Sequence, residues 1–281
     1  MVSERSLSIF VPASLTADMS NLKQKTLKIG QIGRALAIFR VHEVWVYKDD
    51  DPKVHNQKDE TKLIATILRY MNTPQYLRKQ LFPKIDELRY VGLLPPLRTP
   101  HHPLKDERFS EGDYREAVCL KSSGEGSLLD LGLEKKGFTE KKLEPGKLLT
   151  VKLGERVSEG RRIVYPVRRE ETGEYWGFKV MLAGGLAEGL GESKPDYAVG
   201  TSRYGQNFYE TFKGIKINKI KSVAVAFGGP YAGLHEICGR RSIDPSELFD
   251  ALVNTIPRQG TETVRTEEAL IATLALLNVL V

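Results

Sequence analysis

Two kinds of hydrophobic spacing alternate along the N-terminal third of the chain. Leu7–Val11 is a short continuous apolar run closed by Pro12, which predicts a strand. Leu22, Ile29, Ile32, Leu36 and Phe39 follow at spacings of seven, three, four and three, the pattern of a single helical face. Glu43–Tyr47 (EVWVY) predicts a second strand, ended by the acidic Asp49–Asp51 and by Pro52. Leu63, Ile64, Ile67, Leu68 and Met71 then predict a second helix that runs out near Pro74. Strands alternating with helices imply a parallel sheet with helical crossovers.

The rhythm breaks near residue 90. The stretch GLLPPLRTPHHPL (Gly92–Leu104) is dense in proline and is expected to be irregular, with His101 and His102 solvated rather than acting as ligands. From Phe109 to Gly177, short alternating segments such as REAVCL, KLLTVKL and RRIVYPV are split by turn residues. Several short strands at close spacing predict a small barrel or sandwich, and the oligonucleotide-binding barrel is the natural candidate. Lys135, Lys136, Arg161 and Arg162 would then contact phosphates; the same residues also fit solvated charge on a turn-rich domain.

After Gly177 the first pattern returns. GFKVMLA, DYAVGTS, SVAVAFGG and FDALVNTIP read as buried strands of a parallel sheet. Thr266, followed by Glu267 and Glu268, predicts a helix start, with its hydroxyl as the cap and the acids facing the helix dipole. The helix it opens, ALIATLALLNVLV, is apolar on almost every side. Such a helix needs cover from its own sheet and from something else, most simply a second copy of the chain. The expected organisation is a discontinuous α/β domain of residues 1–91 and 166–281 with a β-rich insert at 92–165.

Composition narrows the function classes only a little. No apolar run approaches the roughly 18 residues of a membrane span, and the opening segment reads as a strand rather than a leader, so the expectation is a cytoplasmic protein with no membrane partner. Cys119 and Cys238 lie far apart, which points away from a disulfide framework and from a zinc site. Lys plus Arg (42) exceeds Asp plus Glu (36), for a net charge of +6. That balance is compatible with a polyanionic partner without requiring one.

The motifs of hydrolysis and metal chemistry are missing: there is no His-Glu-x-x-His, no Gly-x-Ser-x-Gly and no phosphate-binding P-loop, so no metal is expected. Pro12–Asn21 contains no glycine, which removes the dinucleotide fingerprint from the first strand. Three segments stand out instead, each read as a loop immediately after a predicted strand: Gly200–Asn207 (GTSRYGQN), Phe227–Glu236 (FGGPYAGLHE) and Asn254–Glu268 (NTIPRQGTETVRTEE). Open parallel sheets bind ligands beyond the carboxyl ends of their strands. Glycine and proline there let main-chain amides and carbonyls approach a ligand closely. With no lysine to cradle phosphates, an uncharged, adenosine-like ligand fits better than a nucleoside triphosphate.

The stretches KIGQIGRALAIF, VAVAFGGPYAGLHE and LVNTIPRQGTETVRTEEALIATLALLN together resemble the SPOUT superfamily of knotted RNA methyltransferases. The match is to the archaeal and eukaryotic branch that carries a β-barrel inserted in its catalytic domain. The first stretch is similar to the motif Asn-x-Gly-x-x-x-Arg, with Gly30 and Arg34 in place and Lys28 where many members have asparagine. The resemblance implies an α/β fold with a knotted parallel sheet flanked by helices and an inserted oligonucleotide-binding-like barrel. It also implies S-adenosyl-L-methionine as cofactor, ribosomal or transfer RNA as substrate, and a homodimer formed through the first and last helices. Phe227, Gly228, Gly229 and Pro230, with Asn254, Ile256, Pro257 and Gln259, would contact the cofactor mainly through main chain, with Thr201 and Ser202 beside it. Arg34 would stabilise negative charge on the acceptor, though a helix arginine paired to an acid is an equal reading; Arg203 and Arg265 would contact phosphate or base. No general base is evident. Two alternatives stay open: an RNA-binding protein that keeps the fold without catalysis, and a small-molecule or protein methyltransferase, for which the basic insert would be unnecessary.

Overall fold

The computed structural model describes residues 5–103, 109–156, 160–215 and 219–280. Contacts divide the chain into two compact units, Met1–Arg69 with Glu87–Pro95 and Phe178–Val281, and Tyr70–Asp86 with Pro96–Gly177.

The first unit opens with β1 (Ser6–Pro12), α1 (Leu22–Ile38), β2 (Glu43–Tyr47) and α2 (Gln57–Asn72). The second holds the short α3 (Arg78–Leu81) and strands β3 (Tyr114–Ser123), β4 (Gly126–Asp130), β5 (Gly137–Thr139), β6 (Leu148–Arg156) and β7 (Arg162–Val167). The first unit then resumes with β8 (Lys179–Ala183), α4 (Leu186–Ser193), β9 (Tyr197–Asn207), α5 (Phe208–Phe212), β10 (Ser222–Ala226), α6 (Leu234–Gly239), α7 (Pro245–Leu248), β11 (Ala251–Asn254) and α8 (Thr266–Val279).

In the first unit six parallel strands pair in the order β11-β9-β10-β1-β2-β8. Their side chains alternate between faces. One face gathers Phe10, Trp45, Tyr47, Ala224 and Ala226 with Leu186 and Leu190 of α4 and Leu234 and Ile237 of α6. The oppositely directed Ile9, Val11, Val44, Val46 and Val225 are equally buried. α1 opens on an Asn21 side chain that accepts the Gln24 amide, and it packs against α8. The central strands β1, β2 and β10 are buried as their apolar runs predict, but β8 and β11 are not. They form the two edges of the sheet, and most of their residues stay partly exposed. The segment Gly200–Asn207, expected as a loop, is instead the far half of β9. β11 pairs with β9 at Gly200 and resumes only at Gln206, so the residues between them bulge out of the ladder.

In the second unit β3-β4-β5-β7-β6 close into a barrel through β3–β6 pairing, consistent with the oligonucleotide-binding type. Its core is Ala117, Leu129, Leu131, Val151, Leu153 and Val164. β7 runs through residue 165, where the insert was expected to end. Of the four basic residues expected to face phosphate, Lys135 and Arg161 are exposed and Lys136 binds Asp130 at 2.8 Å. Arg162 differs from them: at 7% exposure it is part of the barrel wall. His101 and His102 are likewise not solvated. Both place Nε2 on the Asn72 carbonyl, at 2.9 and 3.1 Å, and burial lowers both pKa values, that of His102 to about 4.

Candidate functional site

At the carboxyl ends of β9, β10 and β11, three chain segments enclose a cavity of about 390 Å³. That is within the roughly 300–1,000 Å³ of small-molecule sites. The β9 bulge contributes Thr201, Ser202, Arg203 and Tyr204. The turn after β10 contributes Phe227, Gly228, Gly229, Pro230, Tyr231, Ala232 and Gly233; Asn254, at the end of β11, and Thr255, Ile256, Gln259, Thr263 and Val264, between β11 and α8, complete the wall.

Each segment is tied to another by a hydrogen bond that the sheet alone could not supply. Thr201 Oγ1 donates to the Ala226 carbonyl at 2.9 Å, at the end of β10. Asn254 Nδ2 donates to the Arg203 carbonyl at 2.8 Å, while its Oδ1 accepts the Ile256 amide at 2.9 Å. Thr266 Oγ1 donates to the Gly228 carbonyl at 2.9 Å. This last bond corrects the expectation that the Thr266 hydroxyl caps α8. The Glu268 carboxylate caps the helix instead, accepting the Arg265 amide at 2.9 Å. Glycine permits the close approach: a Cβ on Gly205 would lie 2.6 Å from the Val253 carbonyl carbon, so no side chain fits between bulge and β11.

The floor beneath the β10 turn is buried and polar. Tyr47, fully buried, donates its hydroxyl to the Phe227 carbonyl at 2.7 Å. Burial, and then the neighbouring Asp49, hold the phenol far above its ordinary pKa, so it remains a donor. Asp49 Oδ1 accepts the Ser14 amide at 3.2 Å, and burial raises this carboxyl. The acidic run that ends β2 also anchors α6. Arg240 donates to the Asp49 carbonyl at 2.8 Å and to Asp51 at 3.2 Å, and Arg241 donates to Asp50 at 2.8 Å. The turn between β10 and α6 is therefore held at both ends.

The cavity thus brings together Thr201, Ser202, Arg203, Phe227, Gly228, Gly229, Pro230, Asn254, Ile256 and Gln259. Pro257, Arg265 and Arg34 are not among its lining residues. Arg34 is half-buried on α1. Gly30 of the same motif packs under Leu94, whose Cδ2 lies 2.4 Å from where a Cβ would stand. Lys28 is 3% exposed and pairs with Asp18 at 2.9 Å and Glu267 at 3.2 Å, joining α1 to the first turn of α8. The lysine at this motif position is a buried tie next to Thr266, and removing one partner of such a buried pair costs about 3–5 kcal/mol.

Tyr204, Tyr231, His235, Glu236 and Thr263 line the cavity without having been singled out from the sequence. All lie in the three segments already marked, but a tyrosine in an apolar context reads as core, and only the fold shows these two turned outward. Among the described residues no group of three His, Cys, Asp or Glu is placed to hold a metal, and no helix is long and apolar enough to cross a membrane.

The lining suits an adenosyl group: main-chain amides and carbonyls from the turns, apolar contacts from Phe227, Val253, Ile256, Val264 and Ala269, and no lysine. Comparison with known proteins identifies the family. Residues 6–277 match the family described as "Putative RNA methyltransferase". The 28S rRNA (uridine-N(3))-methyltransferase of Drosophila melanogaster is 35% identical over 97% of this chain, which spans 61% of that protein's length. The human protein of the same name is 34% identical over 97% of the chain and 77% of its own length. An uncharacterized protein of Halobacterium salinarum is 35% identical, with 96% of this chain and 98% of its own length covered. A family match over residues 6–277, with relatives 34% and 35% identical across 97% of the chain, shows that this chain belongs to that RNA methyltransferase family.

Proposed function

We propose that this protein uses S-adenosyl-L-methionine to methylate N3 of a uridine in ribosomal RNA, acting as a cytoplasmic homodimer with the knotted SPOUT topology. The observation that carries the reading is the cavity at the ends of β9, β10 and β11, enclosed by main chain from three segments that cross-bond one another. The uridine and the ribosomal RNA come from the names of the fly and human relatives. The dimer is supported by the outer face of α8, where Ile271, Leu276 and Val279 are 45%, 37% and 82% exposed.

Phe227–Pro230, Asn254, Ile256 and Gln259 would hold the cofactor, which supplies an already activated methyl group. The chain's own contribution is then to fix the acceptor in line, to exclude water and to favour loss of the N3 proton. Positive charge near the base stabilises the negative charge left on the uracil ring. Arg203 lines the cavity and can supply it; Arg34 is proposed in the same role.

The test is titration calorimetry with S-adenosylhomocysteine, paired with methyl transfer from labelled donor to ribosomal RNA. Stoichiometric binding is expected, and Gly229→Trp should abolish it, because any Cβ there would lie 2.3 Å from Ser14 Oγ and displace the turn. Arg34→Ala should lower turnover and leave cofactor affinity unchanged. Absence of binding at millimolar ligand would remove the reading.

A further inference from the structure

The mouth of the cavity carries two tyrosines that the cofactor reading does not use. Tyr204 is 75% exposed and Tyr231 is 46% exposed, and both line the cavity. Each ring has a cation over one face: the Arg203 guanidinium lies 4.7 Å from the Tyr204 centroid, and Lys53 Nζ lies 3.6 Å from that of Tyr231. Tyr209, in α5 immediately after β9, repeats the pattern at 64% exposure with Lys213 at 5.8 Å.

Exposed apolar surface rimmed by polar groups marks interaction sites, and the two rings with their cations make such a surface beside the cavity. A cation over one face of a ring leaves the other open. It also sets positive charge next to a flat apolar surface, the combination that binds a nucleobase and its phosphate together. The chemistry of the proposed acceptor gives this arrangement a purpose. N3 of uracil lies on the pairing edge and is inside the base pair whenever the uridine is paired, so it can be methylated only after the base has left its helix. Unpaired bases in RNA are recognised chiefly by stacking on aromatic rings and arginine planes.

We infer that Tyr204 and Tyr231, backed by Arg203 and Lys53, form the platform on which an unpaired base of the substrate RNA stacks at the cavity mouth. The inference rests on the RNA methyltransferase reading and adds to it a class of substrate, single-stranded or looped RNA, and the residues that hold it.

The test uses the full-length protein with a fluorescent uridine-containing single-stranded oligoribonucleotide and the same sequence annealed into a duplex. Anisotropy should show the wild type preferring the single strand. Tyr204→Ala and Tyr231→Ala should each weaken single-strand binding by between about 5-fold and about 150-fold, the range for a lost base–aromatic stack. Tyr204→Phe and Tyr231→Phe, which keep the ring, should bind as the wild type does. Thermal unfolding midpoints equal to that of the wild type, measured on the same samples, verify that all four variants are folded. Equal affinity for single strand and duplex, or alanine variants that bind RNA like the wild type, would overturn the platform while leaving the cofactor cavity standing. Loss of cofactor binding in the wild type would instead remove the methyltransferase reading, whatever the RNA result.

Discussion

Thr266 offers the sharpest test of how the cavity is built. Its hydroxyl donates to the Gly228 carbonyl at 2.9 Å, and this bond links the start of α8 to the turn after β10. Valine has nearly the same shape and cannot donate. A neutral hydrogen bond contributes about 0.5–1.5 kcal/mol net. If the bond holds the turn in its ligand-binding form, Thr266→Val should weaken S-adenosylhomocysteine binding by about 2- to 13-fold. The melting temperature should fall by no more than about 6 °C, at about 2–4 °C per kcal/mol for a domain of this size. Thr266→Ser keeps the donor and should bind normally. Thr266→Asp is a favourable residue for a helix start but cannot donate when ionised, so it should behave like valine toward the ligand. Calorimetry and thermal unfolding on the four proteins separate the possibilities. Wild-type affinity in the valine variant would refute the clamp, and full affinity in the aspartate variant alone would refute it in favour of a capping role.

Replacing Ile271 or Val279 on the outer face of α8 by glutamate should turn a dimer into a monomer in light scattering, and a monomeric wild type would refute the interface. In the barrel unit, burial depresses His101 and His102, the latter to about 4. Falling pH therefore protonates the unfolded chain first, and stability present above about 6.5 is lost progressively toward 4. His102→Gln, whose amide can still donate to the Asn72 carbonyl, should shrink the drop in melting temperature between pH 7 and pH 4.5; an unchanged drop would exonerate the residue. Exchanging the exposed Lys135 and Arg161 for glutamate should weaken RNA binding across sequences and reduce the salt slope by about 0.7 per lost phosphate contact, whereas a slope equal to that of the wild type would place the RNA elsewhere.

Much of this architecture was legible in the sequence because its signals are local. The apolar runs of β1, β2 and β10 and the helical spacing of Leu22 to Phe39 report which face of each element is buried, whatever the rest of the chain does. The glycine and proline segments after β10 and β11 were visible for the same reason, since turn chemistry is written in a few adjacent residues. What local pattern could not report is which strands become edges, and so β8 and β11 came out half-exposed. Nor could it report where a polar side chain finds its partner. The Thr266 hydroxyl turned to Gly228 instead of capping its own helix, Lys28 was buried between Asp18 and Glu267, and His101 and His102 closed on one carbonyl. The sequence determined the elements and the loops able to expose main chain. Only the tertiary structure decided that the bulge within β9 and the loops following β10 and β11 meet around one cavity with two tyrosines at its mouth, because that depends on strand order in the sheet and on hydrogen bonds between residues remote in the chain.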